Sequence, residues 1–308
     1  IIITLVMLLC ACNMQKQPTQ LAHIKEQNKI RVGTLASASN YYQAVQGEQG
    51  FEYELSQAFA DYLGVELEIV PFFNLSDMFD RLESGDLDLI ASGLTYNKTR
   101  AEQYRYGPTY RTISQKLVYK QGRVRPRKFD DLDGNFTVIA KSSHSLTLQK
   151  AQKNNPSLSW IESEEFDEEE LLQAVIDGEI DYTLADSHTL SLFRRYHPNL
   201  SIGFSVSHND PIAWILRKSK DDSLYALLVP FFGEVKQNNQ LYVLEEKYFG
   251  HVRQFNYVNT LAYIEAIKET LPTYQPWFEQ YAGDLDWRLL AALSYQESMW
   301  NPRAKSPT

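Results

Sequence analysis

Hydrophobic and polar positions along the first half of the chain predict short strands that alternate with amphipathic helices. Residues 29–35 (KIRVGTL) alternate apolar and polar side chains and predict a buried strand. Residues 50–65 place apolar side chains four positions apart and predict a helix that stops at a glycine. Residues 66–72 predict a second strand, and residues 74–93 predict another helix and strand. The order β-α-β-α-β predicts an α/β layer with parallel strands.

The same order of elements starts again at residue 134 and ends in a predicted strand at residues 181–186. The segments 81–93 (RLESGDLDLIASG) and 174–186 (AVIDGEIDYTLAD) share a helix, a glycine, an acidic residue and a strand. This weak internal similarity indicates two lobes of like architecture.

Composition and charge narrow the classes of function. The chain has 308 residues, of which 44% are hydrophobic, and this length allows about two domains. The net charge is -9 and no basic stripe appears, so we expect no nucleic-acid partner. Neither a P-loop nor a G-x-G-x-x-G sequence is present, so no nucleotide site is expected.

Cysteine and histidine usage gives no sign of a metal or a cofactor. Both cysteines lie within the first 12 residues, which excludes a disulfide framework and a cysteine zinc site from the rest of the chain. The six histidines show no i, i+4 pair. We therefore predict no metal site and no cofactor.

An acidic run at residues 162–170 (ESEEFDEEE) carries seven acids. One interpretation is a cation site. The other is the acidic start of a helix on a solvated face, which the helix dipole favours. We expect the helix start.

The first residues predict export and lipidation. Residues 1–12 are apolar but too short to span a bilayer as a helix, which needs about 20 residues, and they fit part of a signal peptide. The sequence LCAC resembles a bacterial lipobox, which implies that Cys12 is lipidated. Residues 13–27 then form a tether, and Asn13 implies the outer membrane, with the protein facing the periplasm. The alternative is a plain signal peptide with incidental cysteines.

Three stretches carry a family resemblance: residues 50–72, 82–110 and 244–250 (LEEKYFG). Together they resemble bacterial extracellular solute-binding proteins of the amino-acid-binding kind over residues 28–250. The resemblance implies an α/β, two-lobed, periplasmic-binding-protein-like (type II) module that closes on a ligand.

The resemblance also implies the division of the module into lobes. Lobe one takes residues 28–122 and 213–250, and lobe two takes residues 123–212. The ligand, an amino acid or a muropeptide, is expected in the cleft between them.

Four residues match the family's ligand-binding positions. Arg100, which follows Thr95, matches the arginine that binds a ligand carboxylate, because a guanidinium fork fits a carboxylate bidentately. Ser143 matches the hydroxyl loop of lobe two, and Asp186 matches the acid that binds the ligand amine. The alternatives are a surface helix residue for Arg100 and a helix cap for Asp186.

The match has one departure and one open choice. Lys141 stands where family members usually have glycine, which makes a standard amino-acid pocket less certain. The aromatic residue that stacks on the ligand is Tyr41 or Tyr42, unless either side chain only packs at the rim of the cleft.

After residue 250 the pattern becomes helical. Residues 258–282 predict a helix broken at Pro272, and residues 286–298 predict a second helix with Asp284 or Asp286 as its N-cap. Residues 251–308 therefore predict the start of an all-α domain.

Glu297 lies near the end of the second helix, on the same face as Leu290 and Leu293. A carboxyl against an apolar surface has a raised pKa, as a glycosidase general acid requires. The alternative is an exposed glutamate at a frayed helix end.

Residues 289–307 (LLAALSYQESMWNPRAKSP) resemble the first signature of lytic transglycosylases, and the whole chain resembles membrane-bound members of that family. The resemblance implies a lysozyme-like domain, truncated here, with Glu297 as its single catalytic acid/base and Ser298 as a positioning residue. The substrate is peptidoglycan, whose glycan strands are cut without water to give 1,6-anhydromuramyl ends. We expect residues 1–308 alone to be inactive, since the rest of the glycan groove follows this signature in the family.

Two other readings remain open. A non-enzymatic amino-acid-binding lipoprotein of a transporter or sensor accounts for residues 28–250 but not for the signature around Glu297. A goose-type lysozyme also uses a single glutamate but adds water, so only the product distinguishes it from a lytic transglycosylase.

Overall fold

The computed structural model describes residues 18–194, 196–250, 257–302 and 304. The predicted leader with Cys12 and the Ser-Pro-Thr sequence at 306–308 lie outside the described residues.

The described residues form α/β lobes followed by helices. The strands are β1 Lys29–Leu35, β2 Tyr42–Ala44, β3 Gly47–Gln49, β4 Glu66–Phe72, β5 Leu89–Ile90, β6 Tyr104–Tyr106, β7 Arg111–Ile113, β8 Gln115–Lys120, β9 Thr137–Ile139, β10 Ile161–Ser163, β11 Tyr182–Asp186, β12 Leu200–Ser205, β13 Asp210–Ile212 and β14 Ile215–Arg217. The helices are α1 Gln20–Gln27, α2 Phe51–Leu63, α3 Leu75–Ser84, α4 Lys98–Gln103, α5 Ser143–Gln152, α6 Glu168–Asp177, α7 Ser187–Phe193, α8 Tyr225–Gln237, α9 Gln240–Phe249, α10 Tyr257–Glu269, α11 Leu271–Tyr281 and α12 Trp287–Ser298. A short 3₁₀ turn covers Phe129–Asp131.

Lobe one is built on a five-stranded sheet with the order β4-β1-β5-β14-β6. Strand β1 runs parallel to β4 and β5, as the hydrophobic pattern predicts. Strand β14 joins antiparallel between β5 and β6, so the chain returns to lobe one after building lobe two.

Lobe two repeats the order of lobe one, with β9, α5, β10, α6 and β11 in place of β1, α2, β4, α3 and β5. Strands β9 and β10 pair parallel, and β11 and β12 flank β8 antiparallel. In both halves the second helix ends at a left-handed glycine, Gly85 or Gly178, each with φ 82°. These matching turns confirm the internal similarity read from the sequence.

The predicted boundary between the lobes at residue 122 is wrong. Strand β8 pairs with β11 and β12 and therefore belongs to lobe two, so the first crossing lies near Ser114. The returning strand β13 pairs antiparallel with β7, and these two strands form the hinge. The apolar alternation of β8 suits either sheet, and only its pairing partners, more than 60 residues away in sequence, decide between them.

Aromatic side chains fill the core of lobe one. Trp214 is fully buried, with its ring centroid 5.7 Å from that of Phe59. Phe231 of α8 lies 4.9 Å from Phe59 of α2. Burial of each such side chain contributes roughly 1.5–3 kcal/mol, so these contacts hold both helices to the segment between β13 and β14.

A buried carboxylate connects this core to the hinge. Glu52 in the first turn of α2 is 1% exposed, and its carboxylate accepts hydrogen bonds from Tyr110 Oη at 2.5 Å and Trp214 Nε1 at 2.8 Å. The backbone N–H of Gly93 and the charge of Arg111 also face it. Burial still raises the pKa of Glu52, because these partners only partly offset the lost hydration. One carboxylate thus joins α2, both hinge segments and a loop of the cleft.

The C-terminal residues are helical, as predicted. Helix α10 ends at Glu269, and α11 begins at Leu271 with Pro272 in its first turn, where proline is tolerated. Asp286 is the N-cap of α12 and accepts from Arg288 N at 2.9 Å, which resolves the choice between the two aspartates. Within the described ranges, no helix has the length and apolarity needed to cross a membrane.

We predict that Glu52→Ala lowers the free energy of unfolding by about 3 kcal/mol or more, because it leaves buried donors without an acceptor and Arg111 with less compensating charge. Urea unfolding measures the loss. Glu66→Ala, on an exposed position of β4, is the matched control and is expected to change stability by less than about 0.5 kcal/mol. Equal losses in the two variants would contradict a structural role for the buried carboxylate.

Candidate functional site

A cavity of about 150 Å³ lies between the two lobes. Lobe one contributes the loops after β1 and β5, and lobe two contributes the starts of α5, α6 and α7. The carboxyl ends of parallel strands are the usual place for a ligand in such sheets. All four residues expected to bind ligand line this cavity: Thr95, Arg100, Ser143 and Asp186.

Arg100 presents a guanidinium group that makes no ion pair with a described carboxylate. Its backbone is held at the start of α4, where Asn97 Oδ1 accepts from Arg100 N at 3.2 Å. The guanidinium lies 4.8 Å from the centroid of Phe79 and donates to Lys141 O at 3.1 Å, across the cleft. A cation held this way is available to an anionic ligand group.

Thr95 places a hydroxyl in the same wall. The residue is 6% exposed, and its Oγ1 has no hydrogen-bond partner among the described residues. A buried hydroxyl without a partner costs free energy, so a ligand atom that forms a hydrogen bond with Thr95 Oγ1 would be favoured.

Ser143 is the first residue of α5, whose N-terminus faces the cavity. The N-cap Ser142 accepts from Ser145 N at 3.2 Å and donates to Ile139 O at 2.6 Å, which fixes the entry to the helix. The remaining free N–H groups of a helix start favour an anionic or carbonyl group.

Lys141 adopts a left-handed backbone conformation, with φ 56°. This explains the departure noted in the sequence, because the turn before α5 suits glycine and costs a side-chain residue roughly 1–2 kcal/mol. The loop keeps its shape despite the lysine, whose carbonyl accepts from Arg100.

Asp186 lies in a cluster with His144 and Glu168. Asp186 Oδ1 is 2.9 Å from His144 Nε2, and Asp186 N donates to Glu168 Oε1 at 2.6 Å. One potential ligand atom from each residue lies within 4.8 Å of the other two. Asp186 is the last residue of β11 and the N-cap residue of α7 by position, but its side chain makes no capping hydrogen bond. The cap interpretation of this residue is therefore not supported, and its carboxylate faces the cluster.

The close carboxylates shift the protonation of the cluster. Burial and then the charge of Asp186 raise the pKa of Glu168 to about 8. Burial is the largest single influence on the pKa of His144 and lowers it, but the charge and hydrogen bond of Asp186, together with the charges of Glu168 and Asp210, make the net shift upward. The cluster therefore tends to hold protons near neutral pH.

The acidic run around residue 165 has two roles. Asp167 caps α6 and accepts from Glu170 N at 2.8 Å, in a reciprocal capping box, so the predicted helix start is confirmed. The predicted solvated face is wrong for Glu168 and Glu169, which line the cavity. Glu169 Oε1 accepts from Ala38 N of lobe one at 3.2 Å.

The aromatic side chains at the cavity are not the predicted tyrosines. Tyr41 and Tyr42 line a separate, more open depression instead. The cavity is lined by four phenylalanines: Phe51, Phe73, Phe166 and Phe249. Nothing local in the sequence marks these positions, since they come from four distant segments.

Arg111 is a second cleft cation that the sequence analysis missed. It lies in hinge strand β7 at 9% exposure, and its guanidinium is 4.5 Å from the ring centroid of Phe51 and 4.1 Å from that of Phe249. Its Nε is 3.3 Å from Glu245 Oε1. Burial lowers the pKa of Arg111, and these partners keep the charge in place.

Glu297 occupies the last turn of α12 and is exposed. Leu293, on the same face, is 56% exposed, so the described residues do not supply the apolar surroundings that the sequence predicts for this carboxyl. The turn after Glu297 is fixed by Trp300, whose Nε1 donates to Ala291 O at 2.8 Å. Ser298 Oγ donates to Ser294 O at 3.0 Å.

Comparison with curated proteins finds relatives over nearly the whole chain. Residues 30–251 match the bacterial extracellular solute-binding proteins, family 3. Membrane-bound lytic murein transglycosylase F of Pseudoalteromonas translucida is 90% identical over 308 residues, which cover 100% of this chain and 66% of that protein. The proteins of the same name from Idiomarina loihiensis and Yersinia enterocolitica are each 47% identical, with 97% and 95% of this chain covered. The chain spans 60% to 66% of the length of these relatives.

Solved structures share the two-lobed fold. A mutant of ArgBP from T. maritima matches with a TM-score of 0.66 and 24% identity, covering 75% of this chain and 99% of that one. The cysteine-binding protein from Campylobacter jejuni matches with a TM-score of 0.67 and 19% identity, covering 76% and 94%. At these identities the likeness concerns the fold.

We predict that the cleft cluster makes folding stability fall as the pH rises. Because the pKa of Glu168 is raised when folded, the unfolded chain ionises first above the usual carboxyl range, and stability declines up to about pH 8. The raised pKa of His144 acts in the same direction, since its contribution is present at low pH and is lost as the pH rises. The melting temperature of Glu168→Gln relative to that of the wild type should therefore rise by about 4 °C or more between about pH 5 and about pH 9.

Glu164→Gln is the matched control for this experiment. Glu164 belongs to the same acidic run, but its side chain is 73% exposed. Its melting temperature should follow the wild type across the pH range. A Glu168→Gln curve parallel to the wild type would contradict the shift assigned to the cluster.

Proposed function

The chain belongs to the bacterial extracellular solute-binding proteins, family 3, and we propose that this module regulates a lytic murein transglycosylase whose catalytic acid is Glu297. The observation that carries the proposal is the 90% identity to membrane-bound lytic murein transglycosylase F of Pseudoalteromonas translucida over a match of 308 residues, which extends through the helical segment that ends in α12. A binding protein alone leaves this helical segment without a role.

In the proposed reaction, Glu297 donates its proton to the oxygen between N-acetylmuramic acid and N-acetylglucosamine as the C1–O bond breaks. The resulting carboxylate then takes the proton of the muramyl 6-hydroxyl while that oxygen attacks C1. The product is a 1,6-anhydromuramyl end, and no water is added. One carboxyl therefore acts first as acid and then as base, in place of the usual pair. Ser298 helps to position the reacting groups.

The cleft is proposed to bind a small ligand, an amino acid or a muropeptide. Arg100 donates two hydrogen bonds to the ligand carboxylate, and the Thr95 hydroxyl and the start of α5 at Ser143 supply further hydrogen bonds. Asp186 faces the amine. The ligand can regulate the catalytic domain only if it binds one conformation of the module, such as the closed one, more tightly than the other.

The proposed location is the periplasmic face of the outer membrane. A lipid on Cys12 is the anchor, and residues 13–27 are the tether, although α1 already orders the tether from Gln20. The relatives are named as membrane-bound, which agrees with an anchor of this kind.

Two alternatives are kept because the same residues support them. A binding lipoprotein of a transporter or sensor is consistent with the family match over residues 30–251. A hydrolase with the same glutamate is distinguished by its reducing-end products.

We predict that Arg100→Ala loses half or more of the ligand-induced thermal stabilisation at a fixed ligand concentration, while the fold survives. Each natural amino acid and a soluble muropeptide fraction are screened against the wild type, and the compound that stabilises it most is used. At a ligand concentration of about 100 times Kd, stabilisation amounts to roughly 2.7 kcal/mol, and loss of a charge-assisted pair should weaken binding about 10- to 100-fold. Lys98→Ala, an exposed cation on the same helix, is the control. Equal stabilisation of wild type and Arg100→Ala would exclude Arg100 as the anchor.

We predict that the protein, extended to the length of its relatives, releases anhydromuropeptides from purified sacculi. Glu297→Gln keeps the shape of the side chain but removes the acid, so release should fall about 10²- to 10⁴-fold. Mass spectrometry of the products measures both. Reducing ends would mean a hydrolase, and no release from the extended wild type would favour the binding lipoprotein.

The 308-residue chain alone is expected to release nothing in the same assay. Support comes from apolar side chains on and near α11 and α12 that are more than half exposed: Trp277, Tyr281, Leu285, Leu289 and Leu293. Such a surface is expected to be covered in a complete glycan groove. Turnover of sacculi by this chain alone would refute the expectation.

A further inference from the structure

The walls of the cleft carry opposite charges. The lobe-two wall has five carboxylates: Glu164, Asp167, Glu168, Glu169 and Asp186. The lobe-one wall has the cations Arg100 and Arg111, together with the buried carboxyl of Glu52, which faces Arg111. Arg111 already forms an ion pair with Glu245 at 3.3 Å, which leaves Arg100 to face an anion.

Most of the carboxylates on the lobe-two wall lack a cationic partner. Glu164 has Lys141 at 3.4 Å, and Asp186 has His144 at 2.9 Å. Asp167 and Glu169 bond backbone N–H groups, and Glu168 bonds the N–H of Asp186. Within the described part of the chain, Asp167, Glu168 and Glu169 form no ion pair. Glu168 tends to hold a proton near neutral pH, but Asp167, Glu169 and Asp186 still make the wall negative, and a ligand cation beside Glu168 would favour its ionised form. A ligand with one carboxylate and one ammonium group would therefore leave this wall negative.

Two buried polar atoms at the same cavity make no hydrogen bond to a described residue. Thr95 is 6% exposed and His144 is 3% exposed, and both line the cavity. Thr95 Oγ1 and His144 Nδ1 have no hydrogen-bond partner among the described residues. Polar atoms buried this deeply are normally satisfied, so the unmet bonds point to a ligand in the cavity.

A divalent metal fits the cluster less well than an organic cation. A histidine that binds metal usually donates its second ring N–H to an acceptor, and His144 Nδ1 has no such acceptor among the described residues. His144 Nε2 already bonds Asp186. The cavity of about 150 Å³ is also far larger than a single ion needs.

We propose that the cleft selects a ligand with a cationic group in addition to its α-ammonium, that is, a basic amino acid or a peptide with a basic side chain, and that Glu168 determines this selection. The ligand carboxylate faces Arg100, and its cations face Glu168 and Asp186. This inference rests on the proposed ligand-binding role of the module and names the class of its ligand.

Comparison of L-arginine with L-citrulline isolates the charge, because the two molecules have nearly the same shape. Isothermal titration of the whole chain should show arginine binding about 10- to 100-fold more tightly than citrulline, as expected for hydrogen bonds to a charged group. L-lysine and L-norleucine repeat the comparison with an ammonium group. A ratio near one in the wild type would overturn the proposal without needing any variant, and it would leave a module for neutral amino acids intact.

Glu168→Gln tests the assigned residue. It should reduce the arginine-to-citrulline ratio to within about threefold of one while citrulline affinity stays unchanged, since only the charge pair is lost. Glu165→Gln, at an exposed position of the same acidic run that does not line the cavity, should keep the wild-type ratio. An unchanged ratio in Glu168→Gln would overturn the assignment.

Two further outcomes contradict the proposal. One is that neither arginine nor lysine binds at millimolar concentration. The other is that Zn²⁺ binds one-to-one, loses affinity in Glu168→Gln and is not displaced by arginine, which would assign the cluster to a metal. Neither outcome bears on the release of anhydromuropeptides by Glu297, so the transglycosylase proposal is tested separately.

Discussion

The buried carboxylate of Glu52 is the constraint on which the cleft depends. It accepts from Tyr110 just before one hinge strand and from Trp214 just after the other, while Gly93 donates from the cleft loop. Burial of an ionised group without these partners would be costly. The same carboxylate faces Arg111 in the hinge, so the position of both hinge strands, and hence of both cleft walls, follows from one satisfied polar network.

The two lobes share an order of elements but have opposite chemistry at the cleft. Lobe one offers Arg100 on a short helix, and lobe two offers carboxylates at the start of α6 and the end of β11. Because each wall is attached to its own sheet, a ligand that neutralises both must contact both lobes. The backbone bond from Ala38 to Glu169 and the bond from Arg100 to Lys141 already join the walls directly. A ligand that pairs with both walls is therefore expected to hold the two lobes together.

The sequence predicts what depends on local pattern. Residues 29–35 form a strand as predicted, and the glycines that end the helices in both halves are in place. Arg100 and Asp186 line the cavity as expected, and a family resemblance made these two positions predictable from the sequence. The sequence does not predict the pairing of β8 or the entry of Phe249 into the cleft, since both depend on partners far along the chain. It also places Glu168 on a solvated face, because a helix start and a cavity wall look the same in sequence.

A crystal structure of the chain with L-arginine bound tests the central claim most directly. The ligand carboxylate should lie within hydrogen-bond distance of the Arg100 guanidinium, and the ligand's cationic groups should face Glu168 and Asp186. The Thr95 hydroxyl should then have a partner. A ligand in the reverse orientation, or one bound outside the cleft, would contradict the proposed binding mode.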